Sequence, residues 1–295
     1  LILKLKPSIV VGFGGYPSFA PALAALLLGR RVLIHEQNAV LGRANRVLCR
    51  MGAYLATTFG GTRGLSKSTR LRTRKVGNPV RSEVLSAARG GYRYLNASRP
   101  FELLVFGGSQ GASVFADIVP KAIGQLPSEL KARLRVVHQV RHADMAETLA
   151  AYGEIGVYAE IRDFFEDLPS RMRRAHLVIC RGGASTICEL SLLGAPAVVV
   201  PLPGALDQDQ AHNVRELTEK GGAWMVNQSE FSSDWLSGKL NELMLNIELL
   251  NAASARALSL ARPDADLRLC RYALSLIKDA NSINQGSDAI AKGKK

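Results

Sequence analysis

The sequence is poor in cysteine and aromatic residues and contains no long apolar run. Its four cysteines stand at wide spacings among 295 residues, so they form neither a zinc signature nor a disulfide framework. This usage indicates a reducing compartment, hence the cytosol. The longest apolar run, residues 20–28, is too short to cross a membrane. The composition is otherwise that of a globular protein, and the length favours two domains.

Acidic residues are almost absent from the first part of the chain. Residues 1–82 contain 14 Lys and Arg but one acid, Glu36, whereas the 24 basic and 24 acidic residues that follow cancel. This asymmetry indicates an anionic partner: nucleic acid, an acidic bilayer surface or a phosphorylated ligand. Few aromatic residues accompany the basic ones, which disfavours a nucleic-acid partner because single strands bind by base stacking. A solvated face that aids solubility is the alternative.

Apolar runs and glycine turns alternate in the order of an α/β protein. Strands are predicted at residues 8–11, 32–35, 103–106, 135–137, 177–180 and 197–200, with weaker candidates near Tyr54 and Val76. Helices are predicted at 18–28, 186–193 and 211–220. Strand–helix–strand units with short links predict parallel sheets in two doubly wound domains that face each other across a cleft.

The same pattern divides the chain into segments. We expect domains at residues 1–82 and 101–280, a linker at 83–100 and a disordered polar tail at 281–295, with the last helix of the second domain free to pack back on the first.

Glycine-rich turns at residues 12–16, 107–111 and 181–185 each follow a strand and open a helix. Backbone N–H groups and the positive end of the helix dipole favour an anion such as phosphate at such a turn. Neither of the first two turns matches G-x-G-x-x-G or the P-loop, which disfavours dinucleotide binding and ATP hydrolysis. A tight turn without a ligand is the alternative.

Glu189 lies one turn into the helix that follows the third glycine turn, where Ser185 and Thr186 are candidates to cap the helix start. A carboxylate at this place is able to accept both hydroxyls of a ribose. Stabilisation of the helix start is the alternative.

Several motifs together resemble the MurG family of bacterial N-acetylglucosaminyltransferases. The most specific is His-Glu-Gln-Asn at 35–38, and further family motifs follow in order at 12–16, 77–81, 107–112, 180–189 and 207–213. The resemblance extends from Leu1 to near Ala280 and implies a GT-B fold of two Rossmann-like domains facing a cleft. It implies inverting transfer of N-acetylglucosamine from UDP-N-acetylglucosamine to undecaprenyl-pyrophosphoryl-muramoyl-pentapeptide (lipid I to lipid II), without a cofactor or bound metal.

The resemblance also implies a donor site made of named residues. These are Asn38, Arg81, Ser109, Phe165, Ala184, Ser185, Thr186, Glu189 and Gln210. Ser109 would meet the diphosphate, the backbone of Phe165 the uracil edge, Glu189 the ribose diol and Gln210 the sugar hydroxyls. Arg81 is expected to stabilise the UDP leaving group as its charge develops.

The family's opening strand and its Gly-Gly-Thr-Gly-Gly-His turn, which supplies the candidate base, do not occur in the sequence. The first domain is therefore expected to be N-terminally truncated, and the catalytic base is unassigned. The second domain is expected to fold and bind the donor weakly, whereas transfer to lipid I is expected to be nearly undetectable, as in an inactive fragment. The five histidines have no metal-ligand spacing. His35 is interpreted as structural and His176 as an exposed helix-end residue.

The expected partners are UDP-N-acetylglucosamine, lipid I and an anionic membrane surface at the cytoplasmic face of the inner membrane. The residues expected to dock on lipid are Arg63, Arg70, Arg72 and Lys75, with Leu65 and Leu71 as candidates for shallow insertion. Two alternatives stay open: another GT-B glycosyltransferase that acts on a glycolipid, and a module that binds an anionic membrane or nucleic acid.

Overall fold

Ten strands form two parallel sheets in the residues that the computed structural model describes, which are 1–91, 100–108, 111–204 and 208–292, with side chains as far as Lys278. The chain divides into two compact units. Unit 1 comprises Leu1–Pro79 and the segment that begins at Pro263, and unit 2 comprises Val80–Arg262.

Strands and helices alternate along most of the described chain. The strands are β1 (Val10–Gly12), β2 (Val32–Glu36), β3 (Tyr54–Thr57), β4 (Thr73–Lys75), β5 (Phe101–Phe106), β6 (Leu134–Gln139), β7 (Ala159–Arg162), β8 (Leu177–Cys180), β9 (Ala197–Val199) and β10 (Ala223–Met225). The helices are α1 (Ile2–Leu5), α2 (Tyr16–Leu27), α3 (Arg43–Arg50), α4 (Lys67–Arg70), α5 (Ser82–Ala88), α6 (Ser113–Gly124), α7 (Ser128–Arg133), α8 (Met145–Glu154), α9 (Leu168–Arg174), α10 (Ala184–Leu193), α11 (Asp209–Glu219), α12 (Ser233–Leu245), α13 (Ile247–Ser259) and α14 (Ala265–Lys292), with a 3-10 turn at His142–Asp144.

The sheet of unit 1 has the order β1-β2-β3-β4, and its neighbouring strands are parallel. Successive side chains of β2 point to opposite faces, as in any strand. Val32 and Ile34 join the core formed with α2 and α3. Leu33 points to the other face and joins a separate cluster.

The last helix returns to unit 1 and covers that second face. Leu269, Tyr272 and Leu276 of α14 are buried in one cluster with Leu33 and Ala56. The Tyr272 hydroxyl also donates to the Arg72 carbonyl oxygen at 2.8 Å. No helix of the described chain combines the length and the apolar character that a membrane crossing requires.

The domain boundaries differ from those expected. Unit 2 begins at Val80, and residues 82–88, expected to be mostly linker, form α5. Residues 92–99 of the expected linker lie outside the described residues. The described backbone of α14 extends to Lys292, and the disordered tail expected from residue 281 stays a prediction. Residues 293–295 are outside the described chain.

The sheet of unit 2 has the order β10-β9-β8-β5-β6-β7, and all neighbouring strands are parallel. The central strands β5 and β8 are almost entirely apolar and buried, as expected of a parallel sheet with helices on both faces. Helix α6 packs against α8 and α12, whereas α10 packs against α5, α9, α11 and α13.

The strand order reverses beside β5. The chain continues from β5 outward to β6 and β7, then crosses back to β8 on the other side of β5. Helices that follow the two neighbouring strands therefore diverge, which leaves a crevice beyond the carboxyl ends of β5 and β8.

Candidate functional site

A pocket of about 240 Å³ lies at this switch point of unit 2. The residues that line it are Phe106, Gly107, Gly108, Gly111, Arg181, Gly183, Thr186, Leu202 and Gln210. They come from the ends of β5, β8 and β9 and from the first turns of α10 and α11. Open α/β sheets bind their ligands at this place, so the pocket is the candidate site.

Two glycines of the turn between β5 and α6 leave no room for a Cβ. A Cβ at Gly107 would lie 2.4 Å from the Ala112 nitrogen, and one at Gly111 would lie 2.6 Å from Cγ of Arg141. The turn opens α6, whose free N–H groups and dipole favour an anion. Ser109, expected to meet a diphosphate here, lies outside the described residues.

Gln210 and Asn213 hold the opposite wall of the pocket. Oε1 of Gln210 accepts the N–H of Gly182 at 3.1 Å and that of Leu202 at 3.0 Å. The buried Asn213 donates its Nδ2 to the Gly182 carbonyl oxygen at 3.1 Å. A Cβ at Gly182 would lie 2.7 Å from the Gln210 carbonyl oxygen. The start of α11 and the turn after β8 are thus fixed against each other.

Arg181 is a wall residue to which the sequence analysis gave no role. Its Nη1 donates to the carbonyl oxygens of Val200 and Pro201 at 3.1 and 3.2 Å, and its Nη2 donates to Oε1 of Gln228 at 2.7 Å. The guanidinium carbon lies 5.0 Å from the centre of the Phe115 ring. Burial lowers the pKa of Arg181, yet a guanidinium stays protonated in proteins. A cation immediately after a buried strand was the signal that could have identified it.

Helix α10 starts earlier than expected. It begins at Ala184 rather than Thr186, with Gly183 as N-cap and no side-chain cap hydrogen bond. The expected capping by Ser185 and Thr186 is therefore wrong, because both lie inside the first turn of the helix. Thr186 lines the pocket, Ala184 is buried and Ser185 is exposed.

Arg81 and Glu189 form an ion pair in unit 2. Nη2 of Arg81 donates to Oε1 of Glu189 at 3.2 Å, and α5, which Arg81 precedes, packs against α10. The Glu189 side chain is 10% exposed, whereas that of Arg81 is 57% exposed. Burial raises the pKa of Glu189, and the charge and hydrogen bond of Arg81 oppose this rise. Arg81 thereby helps to keep a buried carboxylate ionised.

Phe165 lies in the loop between β7 and α9 and is buried. Phe165 is not among the described residues that line the pocket. Asn38 belongs to unit 1, where its backbone N–H donates to Oε1 of Glu36 at 3.0 Å. Oε2 of Glu36 accepts the Gly42 N–H at 2.9 Å and Nδ2 of Asn45 at 2.8 Å. The buried Glu36 thus organises the loop of the His-Glu-Gln-Asn motif.

Three histidines of the described chain are buried: His35, His138 and His176. Nε2 of His35 donates to the Gly77 carbonyl oxygen at 2.9 Å, and burial lowers the pKa of His35. His176 is 1% exposed, and its Nδ1 accepts the Glu102 N–H at 2.9 Å. The expected exposure of His176 is wrong because it directly precedes the buried strand β8. Within the described residues, no group of three or more His, Cys, Asp and Glu could hold a metal ion.

Two family models match the chain. The glycosyltransferase family 28 N-terminal domain matches residues 1–57, and the glycosyltransferase family 28 C-terminal domain matches residues 102–269. A crystal structure of Acinetobacter baumannii MurG is similar with a TM-score of 0.78 and 32% identity, over 93% of this chain and 76% of that chain.

Curated relatives are more similar in sequence. The UDP-N-acetylglucosamine--N-acetylmuramyl-(pentapeptide) pyrophosphoryl-undecaprenol N-acetylglucosamine transferase of Methylobacterium sp. (strain 4-46) is 48% identical over 269 residues, which are 91% of this chain and 72% of that protein. The transferase of the same name from Rhizobium etli (strain CIAT 652) is 44% identical over 294 residues, 100% of this chain and 74% of that protein.

The chain belongs to the MurG family. This confirms the expected family, and with the two parallel sheets it confirms the expected fold class, an α/β chain of the GT-B type. MurG-family membership also makes the chain a glycosyltransferase.

The close approach of Gly182 to Gln210 predicts a stability change. Gly182→Ala should destabilise unit 2 by about 1–3 kcal/mol, because the new Cβ forces two fixed backbone segments apart. Gly238→Ala is the matched control, since a Cβ there meets open space on α12 and alanine is the better helix former by about 1 kcal/mol. Urea unfolding of both variants measures the difference, and equal midpoints would contradict the close approach.

Proposed function

We propose that this chain transfers N-acetylglucosamine from UDP-N-acetylglucosamine to undecaprenyl-pyrophosphoryl-muramoyl-pentapeptide, converting lipid I to lipid II in peptidoglycan synthesis. The observation that carries the proposal is the switch-point pocket of a MurG-family chain, with glycine turns and helix starts suited to a diphosphate. The transferases from Methylobacterium and Rhizobium are named for this reaction.

The donor is arranged along unit 2 in the proposal. Its diphosphate meets the turn that ends at Gly111 and the N-terminus of α6, together with Ser109. Glu189 accepts the two ribose hydroxyls, which requires its carboxylate form. The Phe165 backbone reads the uracil edge, and Gln210 completes the contacts to the nucleotide sugar. The ion pair with Arg81 supports the role of Glu189, because it favours that charged form.

In the chemical step, the 4-hydroxyl oxygen of muramic acid attacks the anomeric carbon of N-acetylglucosamine. The bond from that carbon to the UDP oxygen breaks with inversion, and the hydroxyl proton passes to a base that we assign to no residue of this chain. UDP gains negative charge as it leaves. Arg81 is exposed and carries five N–H donors, so its guanidinium is able to maintain the ion pair with Glu189 and also to donate to the diphosphate.

The Arg81–Glu189 pair predicts a change in the pH dependence of donor binding. Donor affinity should fall as the pH drops through the raised pKa of Glu189, since protonation removes an acceptor for the ribose hydroxyls. Arg81→Ala removes the charge that opposes this rise, so the midpoint should move to higher pH. At pH values where Glu189 is ionised, turnover should fall by about 100-fold, more than affinity, because the diphosphate gains charge in the transition state.

UDP-N-acetylglucosamine titrations between pH 5 and 9 and a lipid II synthesis assay provide the measurements. Glu189→Gln serves as the control, since it cannot ionise and should bind the donor weakly with no midpoint. An unchanged midpoint in Arg81→Ala, or equal losses of turnover and affinity, would contradict the assigned role of Arg81.

We further infer peripheral attachment of unit 1 to anionic lipid at the cytoplasmic face of the inner membrane. Leu71 is 89% exposed and stands between Arg70 and Arg72, which supports shallow insertion flanked by positive charge. Leu65 does not fit the expected insertion, because it packs against the core of unit 1. Arg72 is half-buried and donates to the Cys49 carbonyl oxygen at 3.2 Å.

Vesicle flotation tests this attachment. A triple change of Arg63, Arg70 and Lys75 to Ser should weaken binding to anionic vesicles, since each charge near the surface contributes about 1 kcal/mol. The control is the same change at exposed Lys121, Arg162 and Arg215 of unit 2. Equal vesicle binding by both triple variants would contradict a lipid-docking role for Arg63, Arg70 and Lys75. A preference of the chain for random-sequence DNA at matched salt would favour a nucleic-acid partner instead.

A further inference from the structure

The loop from Asp163 to Asp167 connects β7 to α9 at the carboxyl edge of the unit 2 sheet. It contains Phe165, whose backbone reads the uracil edge in the proposed function. A backbone group discriminates between bases only where its position is fixed. The contacts that fix this loop therefore bear on which nucleotide the chain accepts.

One arginine, Arg171, contacts two residues of the loop and one residue of the preceding strand. Nη1 and Nη2 of Arg171 donate to the two carboxylate oxygens of Glu160 at 2.6 and 3.0 Å, and its Nε donates to Oδ1 of Asp167 at 2.6 Å. The guanidinium carbon lies 4.3 Å from the centre of the Phe165 ring. The Arg171 side chain is 12% exposed. Bidentate pairing and stacking of this kind need the planar guanidinium and are not available to lysine.

The remaining contacts complete this arrangement. Nε2 of Gln139 donates to the Asp163 carbonyl oxygen at 2.9 Å and holds the start of the loop. Phe165 is 5% exposed, so its ring is fixed between the loop and Arg171. Its backbone N–H donates to no acceptor among the described residues. Hydrogen bonding to Arg171 lowers the pKa of both Glu160 and Asp167, so the three groups stay charged at neutral pH.

We propose that Arg171 is a positioning residue for base recognition: by stacking on Phe165 and joining Glu160 to Asp167, it holds the Phe165 backbone where it accepts uracil and rejects cytosine. This inference rests on the proposed function, which makes the same loop the base-reading segment.

The chemistry of the two bases makes the role specific. Uracil presents an acceptor at O4, whereas cytosine presents an amino donor at the same position. A fixed backbone N–H satisfies the first and is opposed by the second. A site that hydrogen-bonds one ligand rejects the analogue that leaves its polar group unpaired. If the loop were free to shift, the preference for uracil would be lost, whereas the contacts of other residues to the diphosphate and ribose would remain.

Equilibrium binding of UDP and CDP tests the role, because these ligands share ribose and diphosphate and differ in the base. The variants are Arg171→Met, which removes all three contacts, and Arg171→Lys, which keeps the charge and should fold even where the first does not. Arg174→Met is the matched control on the same helix: Arg174 is 43% exposed and lies 3.7 Å from Asp167. Thermal unfolding of each variant accompanies the titrations.

We expect Arg171→Met and Arg171→Lys to raise the Kd for UDP about tenfold, the effect of one lost hydrogen bond, while the Kd for CDP changes little and the control keeps the wild-type ratio. An unchanged ratio in both Arg171 variants, or an equal rise in both Kd values, would overturn the positioning role. A wild-type chain without preference for UDP would overturn the donor site itself, and the inference with it.

Discussion

The chain leaves the second sheet in opposite directions after β5 and β8, and this constraint shapes the rest of unit 2. The connection after β5 leads outward to β6, whereas the connection after β8 leads to β9. A crevice remains between the two strand ends, and backbone closes in on it from both sides. Glycine is required where the approach is tightest, at Gly107 and Gly182. A pocket suited to an anion thus follows from topology and backbone before any side chain contributes.

Three arginines near this edge of the sheet have different roles. Arg181 is engaged with two carbonyl oxygens and a glutamine, so its charge stabilises the pocket wall. Arg171 is nearly buried and stabilises the loop around Phe165. Arg81 is the exposed one, and its partner Glu189 is a buried carboxylate on the helix that lines the pocket. Of the three, Arg81 is best placed to follow charge that develops on a ligand.

The sequence predicts the central elements well because their signals are local. The buried strand at 177–180 is found with its predicted bounds, since turn residues flank one apolar run. The edge strands β7 and β10 were missed, because each is short and half of β7 is charged. The pairing of Arg81 with Glu189 could not be predicted, because the two residues are 108 positions apart and no local sequence pattern connects them. The stacking of Arg171 on Phe165 was hidden as well, because on sequence alone Arg171 is one of several basic residues in a helix.

Amide hydrogen exchange with and without UDP-N-acetylglucosamine tests most directly whether the donor binds at the switch point. Saturating donor should slow exchange at Gly108 and Gly111 and at residues 182–186, where the two glycine turns and the start of α10 line the pocket. Protection confined to other segments, or none at donor concentrations that saturate transfer, would contradict a donor site at the ends of β5 and β8.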